Sequence, residues 1–130
     1  MHVEYPLPSG QRRNGAYSAV AVIPPGATLV LIGGQNAVNE HGEIVGHDDL
    51  EAQAHQVKDN LEAALAAAGC TWANVVRVSV VVKVGSDLRK AFAVFQPVLA
   101  GREPPLVGVV QVAALARPEF LIEVGLDAAR

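Results

Sequence analysis

The chain has 130 residues and a formal net charge of −3, with 51% hydrophobic and 18% charged residues. This length predicts a single domain over residues 1–130. The acidic balance, with no basic run beyond Arg12-Arg13, argues against a nucleic-acid partner. No apolar stretch reaches the roughly 20 residues that a membrane span requires, so no membrane association is expected.

The charged fraction lies below the usual value of about 25%, so the chain has fewer charged residues than the surface of a monomer normally carries. Burial of part of that surface in an oligomer is the simplest explanation, and a compact monomer rich in alanine and valine is the alternative. The N-terminus lacks the basic and apolar regions of a signal peptide, and the single Cys70 cannot form an internal disulfide. Both features favour the cytoplasm.

The first third of the chain predicts a β-hairpin. Residues 17–23 and 28–32 are β-prone, and Pro24-Pro25-Gly26 turns the chain between them. Gly33-Gly34 ends the second strand, and a polar loop over residues 36–46 follows.

A helix is predicted over residues 48–68. Asp48 is expected to cap it, with Glu51 three positions later, and Gly69 is expected to stop it. One face carries apolar residues at helical spacing, namely Leu50, Ala54, Val57, Leu61, Ala64, Leu65 and Ala68.

The second half predicts a strand over residues 75–83, and then a helix from Ser86 to about Leu99 that Pro97 kinks or shortens. The nearly continuous apolar run over residues 106–115 predicts a strand buried on both faces. Alternation over residues 120–127 predicts the last strand. The order ββαβαββ gives an α+β fold with two helices on one face of a sheet, and the other face, left uncovered, favours association between subunits.

Few residues point to chemistry by themselves. His41, Glu43, His47 and Asp48 lie close together in sequence, but their spacing matches no defined metal-ligand pattern, so we expect a solvated loop, no metal and no cofactor. Glu123 interrupts the apolar alternation of the last strand. It either faces solvent or needs a partner.

Several segments in order resemble one known family, namely residues 16–18, Leu31-Ile32-Gly33-Gly34-Gln35, Gly42-Glu43-Ile44-Val45-Gly46, Asp49-Leu50-Glu51-Ala52-Gln53, residues 56–61 and Ala66-Ala67-Ala68-Gly69. The chain resembles the Rid (YjgF-like) family, whose older description is L-PSP endoribonuclease. The resemblance implies a chorismate-mutase-like fold and a homotrimer whose sheets meet in a central barrel. It also implies small-molecule clefts between subunits. Deaminating members hydrolyse 2-imino acids to 2-keto acids and ammonia.

The resemblance also implies site residues. Tyr17 matches a tyrosine that lines the cleft, Gly34-Gln35 matches a ligand-facing turn with Gly33 in place of serine, and Glu123 matches a glutamate that positions the attacking water. Phe92 occupies the place where the second helix often carries an asparagine.

The arginine that grips the substrate carboxylate in the family has no counterpart. Aligned from Pro104-Pro105, its position falls on Leu106. Aligned backward from Leu115, it falls on Val107. A charge-assisted pair is worth roughly 1.5–3 kcal/mol, and Glu123 would repel an unpaired substrate carboxylate, so 2-imino-acid deamination is expected to be weak or absent.

Four functions therefore stay open. The favoured one is a Rid-like protein that binds a neutral or less acidic small molecule, with Glu123 as acid or base in any hydrolysis. The second is a 2-imino-acid deaminase in which Arg102, otherwise a solvated loop charge, replaces the arginine; Arg77 and Lys83 are weaker substitutes. The third is a non-catalytic ligand sensor or interaction trimer. A ribonuclease ranks last, because the chain is acidic.

Overall fold

The computed structural model describes residues 1–130. Its elements are β1 (Leu29–Gln35), α1 (Leu50–Ala67), a single 3-10 turn (Trp72–Asn74), β2 (Val75–Lys83), α2 (Leu88–Leu99), β3 (Leu106–Val112) and β4 (Ile122–Ala129). Two helices and a four-stranded sheet confirm the predicted α+β class.

The sheet is mixed and has the strand order β1-β4-β2-β3. β4 pairs antiparallel with both β1 and β2, whereas β2 and β3 run parallel and are joined through α2. A parallel pair needs such a crossover, because the chain must return to the same end of the sheet. β1 and β3 are therefore the two edge strands.

The core lies between the helices and one face of the sheet. Val78, Val80 and Val82 of β2 alternate with more exposed residues and pack into the same cluster as Leu61 and Leu65 of α1. The predicted face of α1 is confirmed, and the alternation predicted for β4 is confirmed by its buried residues Ile122, Val124, Leu126 and Ala128.

The predicted hairpin is wrong, because residues 17–23 form no strand. Val22 makes one isolated antiparallel bridge with Glu4, and β1 pairs with β4 instead. Pro24 and Pro25 turn the chain as expected, but neither has an N–H to begin a ladder between the two segments. Residues 17–23 were predicted to pair with β1. In the structure their one backbone partner, Glu4, comes from the N-terminal segment.

Both helix caps differ by one residue from the prediction. The Asp49 carboxylate accepts from the Ala52 N–H, whereas Asp48 adopts a positive φ of 54° just outside α1. Asp87, rather than Ser86, caps α2. Pro97 lies inside the last turn of α2, where it does not shorten the helix. Neither helix combines the length and apolar character needed to cross a membrane.

The prediction that β3 is buried on both faces is wrong for the single chain. Residues 108–111 are exposed, with Val110 58% exposed, and Leu31 on the other edge strand is 70% exposed. Both helices pack on the opposite face, and no segment of this chain covers these side chains. The sheet thus presents one uncovered face, defined here by Leu31, Ser79, Gly108, Val110 and Gly125. Gly108 and Gly125 are in register with Ser79, and Leu31 and Val110 lie in the neighbouring rows of the same face.

Candidate ligand-binding site

A β-bulge shapes the Gly33-Gly34-Gln35 turn. Ile32 pairs with Leu126 and Gln35 with Val124, so three steps along β1 match two along β4. The strand thus continues through the two glycines instead of ending before them as predicted. The Gln35 side-chain amide donates to the Gly33 carbonyl at 3.1 Å and holds the turn in shape.

The Glu123 carboxylate lies over this bulge. A Cβ at Gly34 would lie 2.6 Å from Cδ of Glu123 and 2.8 Å from its Oε2. Only glycine leaves room for such an approach. Glu123 forms no salt bridge within the chain, so its charge is not committed to an internal partner. Glu123 is therefore half-buried against backbone and has no ion-pair partner in the chain.

Asn36 adds an unused donor next to this turn. Its Nδ2 is buried and has no hydrogen-bond partner in the chain. A buried amide without a partner costs about 1–3 kcal/mol, which makes an external acceptor favourable. Asn36 was not predictable from the sequence, because nothing in a polar loop distinguishes one asparagine from another.

Tyr17 is held at the other end of the candidate site. The next residue, Ser18, donates its N–H to the Pro105 carbonyl at 3.0 Å and its hydroxyl to the Pro104 carbonyl at 2.6 Å. These bonds fix the loop against the start of β3. Tyr17 is 50% exposed, so its ring remains accessible.

Leu106 and Val107 face opposite sides of the sheet. Leu106 pairs with Arg77, and Val81 pairs with Glu123; Arg77 and Val81 are four residues apart on β2 and therefore share a face. Leu106 thus lies on the uncovered face with Glu123. Val107 packs against the hydrophobic core. Of the two alternatives, only Leu106 presents its side chain on the face that carries Glu123.

One chain does not bring the predicted residues together. Glu123 and Leu106 are separated by four residues along β2, about 13 Å, and by two strand spacings, about 10 Å, which gives roughly 16 Å in all. The candidate site therefore has two halves. The carboxylate half contains Gly33, Gly34, Gln35, Asn36 and Glu123, and the strand-entry half contains Tyr17 and Leu106.

Phe92 and Arg102 join neither half directly. Phe92 is 40% exposed and belongs to α2, in the helical layer on the opposite face from Glu123. Arg102 is exposed in the loop before β3 and forms no salt bridge.

The structure instead brings Arg13 to this loop. Its Nη1 lies 3.6 Å from Oε2 of Glu103, and both side chains are 58% exposed. The same Glu103 carboxylate also affects Tyr5, whose pKa is raised above its ordinary value by partial burial and, to a smaller extent, by Glu103. In the sequence, Arg12-Arg13 stands out only as a short basic run. The contact between Arg13 and Glu103 joins residues about 90 positions apart, so no local pattern predicts it.

The loop that carries His41 is organised around Asn39. Glu43 and His41 donate their N–H groups to Oδ1 of Asn39, which organises a tight turn. No group of three histidine, cysteine or acidic side chains in the chain is arranged to hold a metal ion.

Comparison with known proteins identifies the fold's family. The family model described as Endoribonuclease L-PSP matches residues 11–130. The chain belongs to the Rid (L-PSP) family. A solved Rid-family protein of unknown function from Yersinia pestis, YyfB, is 34% identical, covers 100% of both chains and superposes with a TM-score of 0.85.

Two further relatives extend the comparison. A RutC family protein of Synechocystis sp. is 36% identical over 81 residues, which span 62% of each chain and thus less than two thirds of that relative. Protein DfrA of Myxococcus xanthus is 31% identical over 103 residues, which span 79% of this chain and 77% of DfrA. The Rid match includes both halves of the candidate site, whereas Tyr5 precedes the matched region.

Proposed function

We propose that this Rid-family chain forms a homotrimer through its uncovered sheet face and binds a small molecule in clefts between subunits. The observation that carries the proposal is the division of the site, because the carboxylate half and the strand-entry half lie roughly 16 Å apart in one chain. A cleft built from the carboxylate half of one copy and the strand-entry half of another contains all of these residues. The exposed Leu31 and Val110 supply apolar surface for the association.

The chemistry of the cleft follows from its two halves. Leu106 places an apolar side chain where the family arginine would grip a carboxylate, so the group bound there is neutral. Glu123 is an unpaired carboxylate beside backbone, which suits it to accept a proton from water. The substrate class that fits is a small imine or enamine in the cytoplasm.

In the proposed reaction, Glu123 takes a proton from water as the oxygen bonds to the imine carbon. Glu123 passes this proton to the nitrogen, which gives a carbinolamine. It then relays the hydroxyl proton of that intermediate to the nitrogen as the carbon–oxygen double bond forms and the carbon–nitrogen bond breaks. The products are a carbonyl compound and ammonia, so atoms and charge balance without a cofactor or metal.

The alternative is a 2-imino-acid deaminase that uses Arg102. It is favoured by one observation: Arg102 carries no ion-pair partner, whereas its neighbour Glu103 is engaged by Arg13. A guanidinium without a partner is free to bind a carboxylate.

The decay of 2-iminopropionate, generated in situ, separates the two. We expect the wild-type protein to accelerate the decay weakly or not at all. Strong acceleration that is lost in Arg102→Ala would establish the alternative and overturn the favoured proposal. Binding of uncharged carbonyl compounds with no turnover of their imines would identify a ligand sensor, and cleavage of RNA by the protein would establish the activity in the family description.

A further inference from the structure

The N-terminal segment folds into a pocket beside the strand-entry half. The pocket is small, with a cavity volume of about 20 Å³, and it opens to solvent. The residues that bear its polar side chains include Tyr5, Gln11, Arg12, Arg13, Asn14 and Tyr17. The Ser18 bonds to Pro104 and Pro105 and the Arg13 contact with Glu103 attach the segment to the loop that leads into β3. The pocket thus adjoins the residue before Leu106.

The pocket is rich in donors for an anion. None of the eleven residues that line it is acidic, and two are arginines. Arg12 forms no salt bridge, and the exposed Arg13–Glu103 pair is of the kind worth at most about 1 kcal/mol. Arg12 is therefore unpaired, and Arg13 can exchange its weak contact with Glu103 for a ligand carboxylate, which guanidinium binds through paired hydrogen bonds.

Tyr5 supplies a further neutral donor. The phenol carries its proton at neutral pH as any tyrosine does, and burial and the Glu103 carboxylate raise its pKa further above the ordinary value. Tyr17, from the same pocket, also belongs to the strand-entry half. It therefore links the arginines to the proposed cleft.

We propose that this pocket is an anion subsite in which Arg12 and Arg13 hold the carboxylate of the cleft's ligand. The inference rests on the proposed function and names its ligand class. The ligand is an imine or carbonyl compound whose carboxylate is separated from the reacting carbon by apolar carbons, so that the chain lies against Leu106 and the carboxylate reaches beyond it. A 2-imino acid, with its carboxylate on the reacting carbon, is too short.

Binding of matched carbonyl compounds tests the subsite. The probes are 5-oxohexanoate, its neutral counterpart hexan-2-one, and pyruvate, titrated by calorimetry. We expect 5-oxohexanoate to bind about tenfold or more tightly than hexan-2-one, as expected for charge-assisted hydrogen bonds. It should also bind more tightly than pyruvate, which is too short to place its carboxylate at the arginines and its carbonyl in the cleft together. The double variant Arg12→Gln/Arg13→Gln should lose this preference, whereas Arg89→Gln, an exposed arginine on α2, should keep it.

Equal binding of the acid and the neutral ketone would overturn the inference, as would loss of the preference in Arg102→Gln instead of the double variant. A second titration separates this inference from the proposed function: acetate, followed through the side-chain NMR signals of the arginines. If acetate shifts the Arg12 and Arg13 signals but no ketone binds, the anion subsite stands and the proposed cleft is wrong. If acetate leaves both signals unchanged, the subsite is wrong whatever the ketones do.

Discussion

The carboxylate of Glu123 occupies the space that a side chain at Gly34 would need, with the nearest approach only 2.6 Å from an ideal Cβ. We predict that Gly34→Ala turns the Glu123 side chain away from the bulge. A displaced rotamer costs about 0.5–1.5 kcal/mol, so the protein should remain folded. A crystal structure of the variant, with its thermal unfolding, measures both effects.

The neighbouring glycine provides the control. A Cβ at Gly33 meets no atom within 4 Å, and neither glycine has a positive φ. Gly33→Ala should therefore leave Glu123 in place. An unmoved Glu123 in Gly34→Ala would contradict the prediction.

Leu106→Arg should give the protein 2-imino-acid deaminase activity. The new guanidinium lies on the same face as Glu123 and can bind the carboxylate that Leu106 cannot. We expect the decay of 2-iminopropionate to accelerate about tenfold or more over the wild type. No gain in a folded variant would count against the assignment of Leu106.

Val107→Arg is the matched variant, because Val107 packs against the core on the other face. It should gain no activity and should lose roughly 2–4 kcal/mol of unfolding free energy, since it places a charge against apolar side chains. Urea unfolding of the two variants checks the contrast.

Association through the uncovered face should depend on Leu31 and Val110, which are 70% and 58% exposed in the single chain. We expect the wild type to have three times its chain mass of 13.6 kDa by light scattering. Leu31→Glu and Val110→Glu should both yield monomers, because each would bury a charge at an apolar contact. Ala63→Glu, on the exposed side of α1, should remain a trimer. A monomeric wild type would refute the proposed assembly.

Gln53 should be among the most important polar residues for stability. Its fully buried side chain donates to the Gly46 and Glu119 carbonyls at 3.0 and 2.8 Å and accepts from the Leu121 N–H at 2.8 Å. Gln53→Met would leave these backbone groups without partners, and we expect a loss of about 2–4 kcal/mol in urea unfolding. Gln56→Met, which removes one side-chain bond to Asn60, should cost less than about 1 kcal/mol. Equal losses would show that the network contributes little.

The stability of the N-terminal segment should fall at alkaline pH. The pKa of Tyr5 is raised in the folded chain, so the protonated phenol contributes stability that is complete below about pH 10 and is lost as the pH rises through the folded value. Phenolate absorbance should show a component that titrates above the ordinary tyrosine pKa and is absent in Tyr5→Phe. Glu103→Gln should lower that pKa, because it removes the smaller of its two causes. An unchanged titration in Tyr5→Phe would contradict the assignment.

Elements whose partners lie in the same chain were predictable from periodicity. The faces of α1, β2 and β4 followed from their spacing, because the core that covers them belongs to this chain. The predicted burial of β3 on both faces does not hold in the single chain for the opposite reason: its apolar residues face a surface that no segment of the chain covers. The predicted hairpin between residues 17–23 and β1 was wrong, because Val22 bridges to Glu4, a residue remote from β1 in sequence.

The candidate site shows the same division between local and distant information. The Gly33-Gly34-Gln35 turn and Glu123 could be named from sequence motifs. The choice between Leu106 and Val107 required the register of β2 and β3. Arg13 could be recognised as a candidate only from its contact with Glu103, which no local sequence pattern indicates.

The separation of Glu123 from Leu106 on one chain has a genetic consequence in the proposed trimer. Each subunit contributes its carboxylate to one cleft and its strand entry to another. A subunit defective at Glu123 and a subunit defective at Leu106 can therefore join to form one cleft in which both residues are intact. Two alleles that are each inactive alone would complement each other when expressed together.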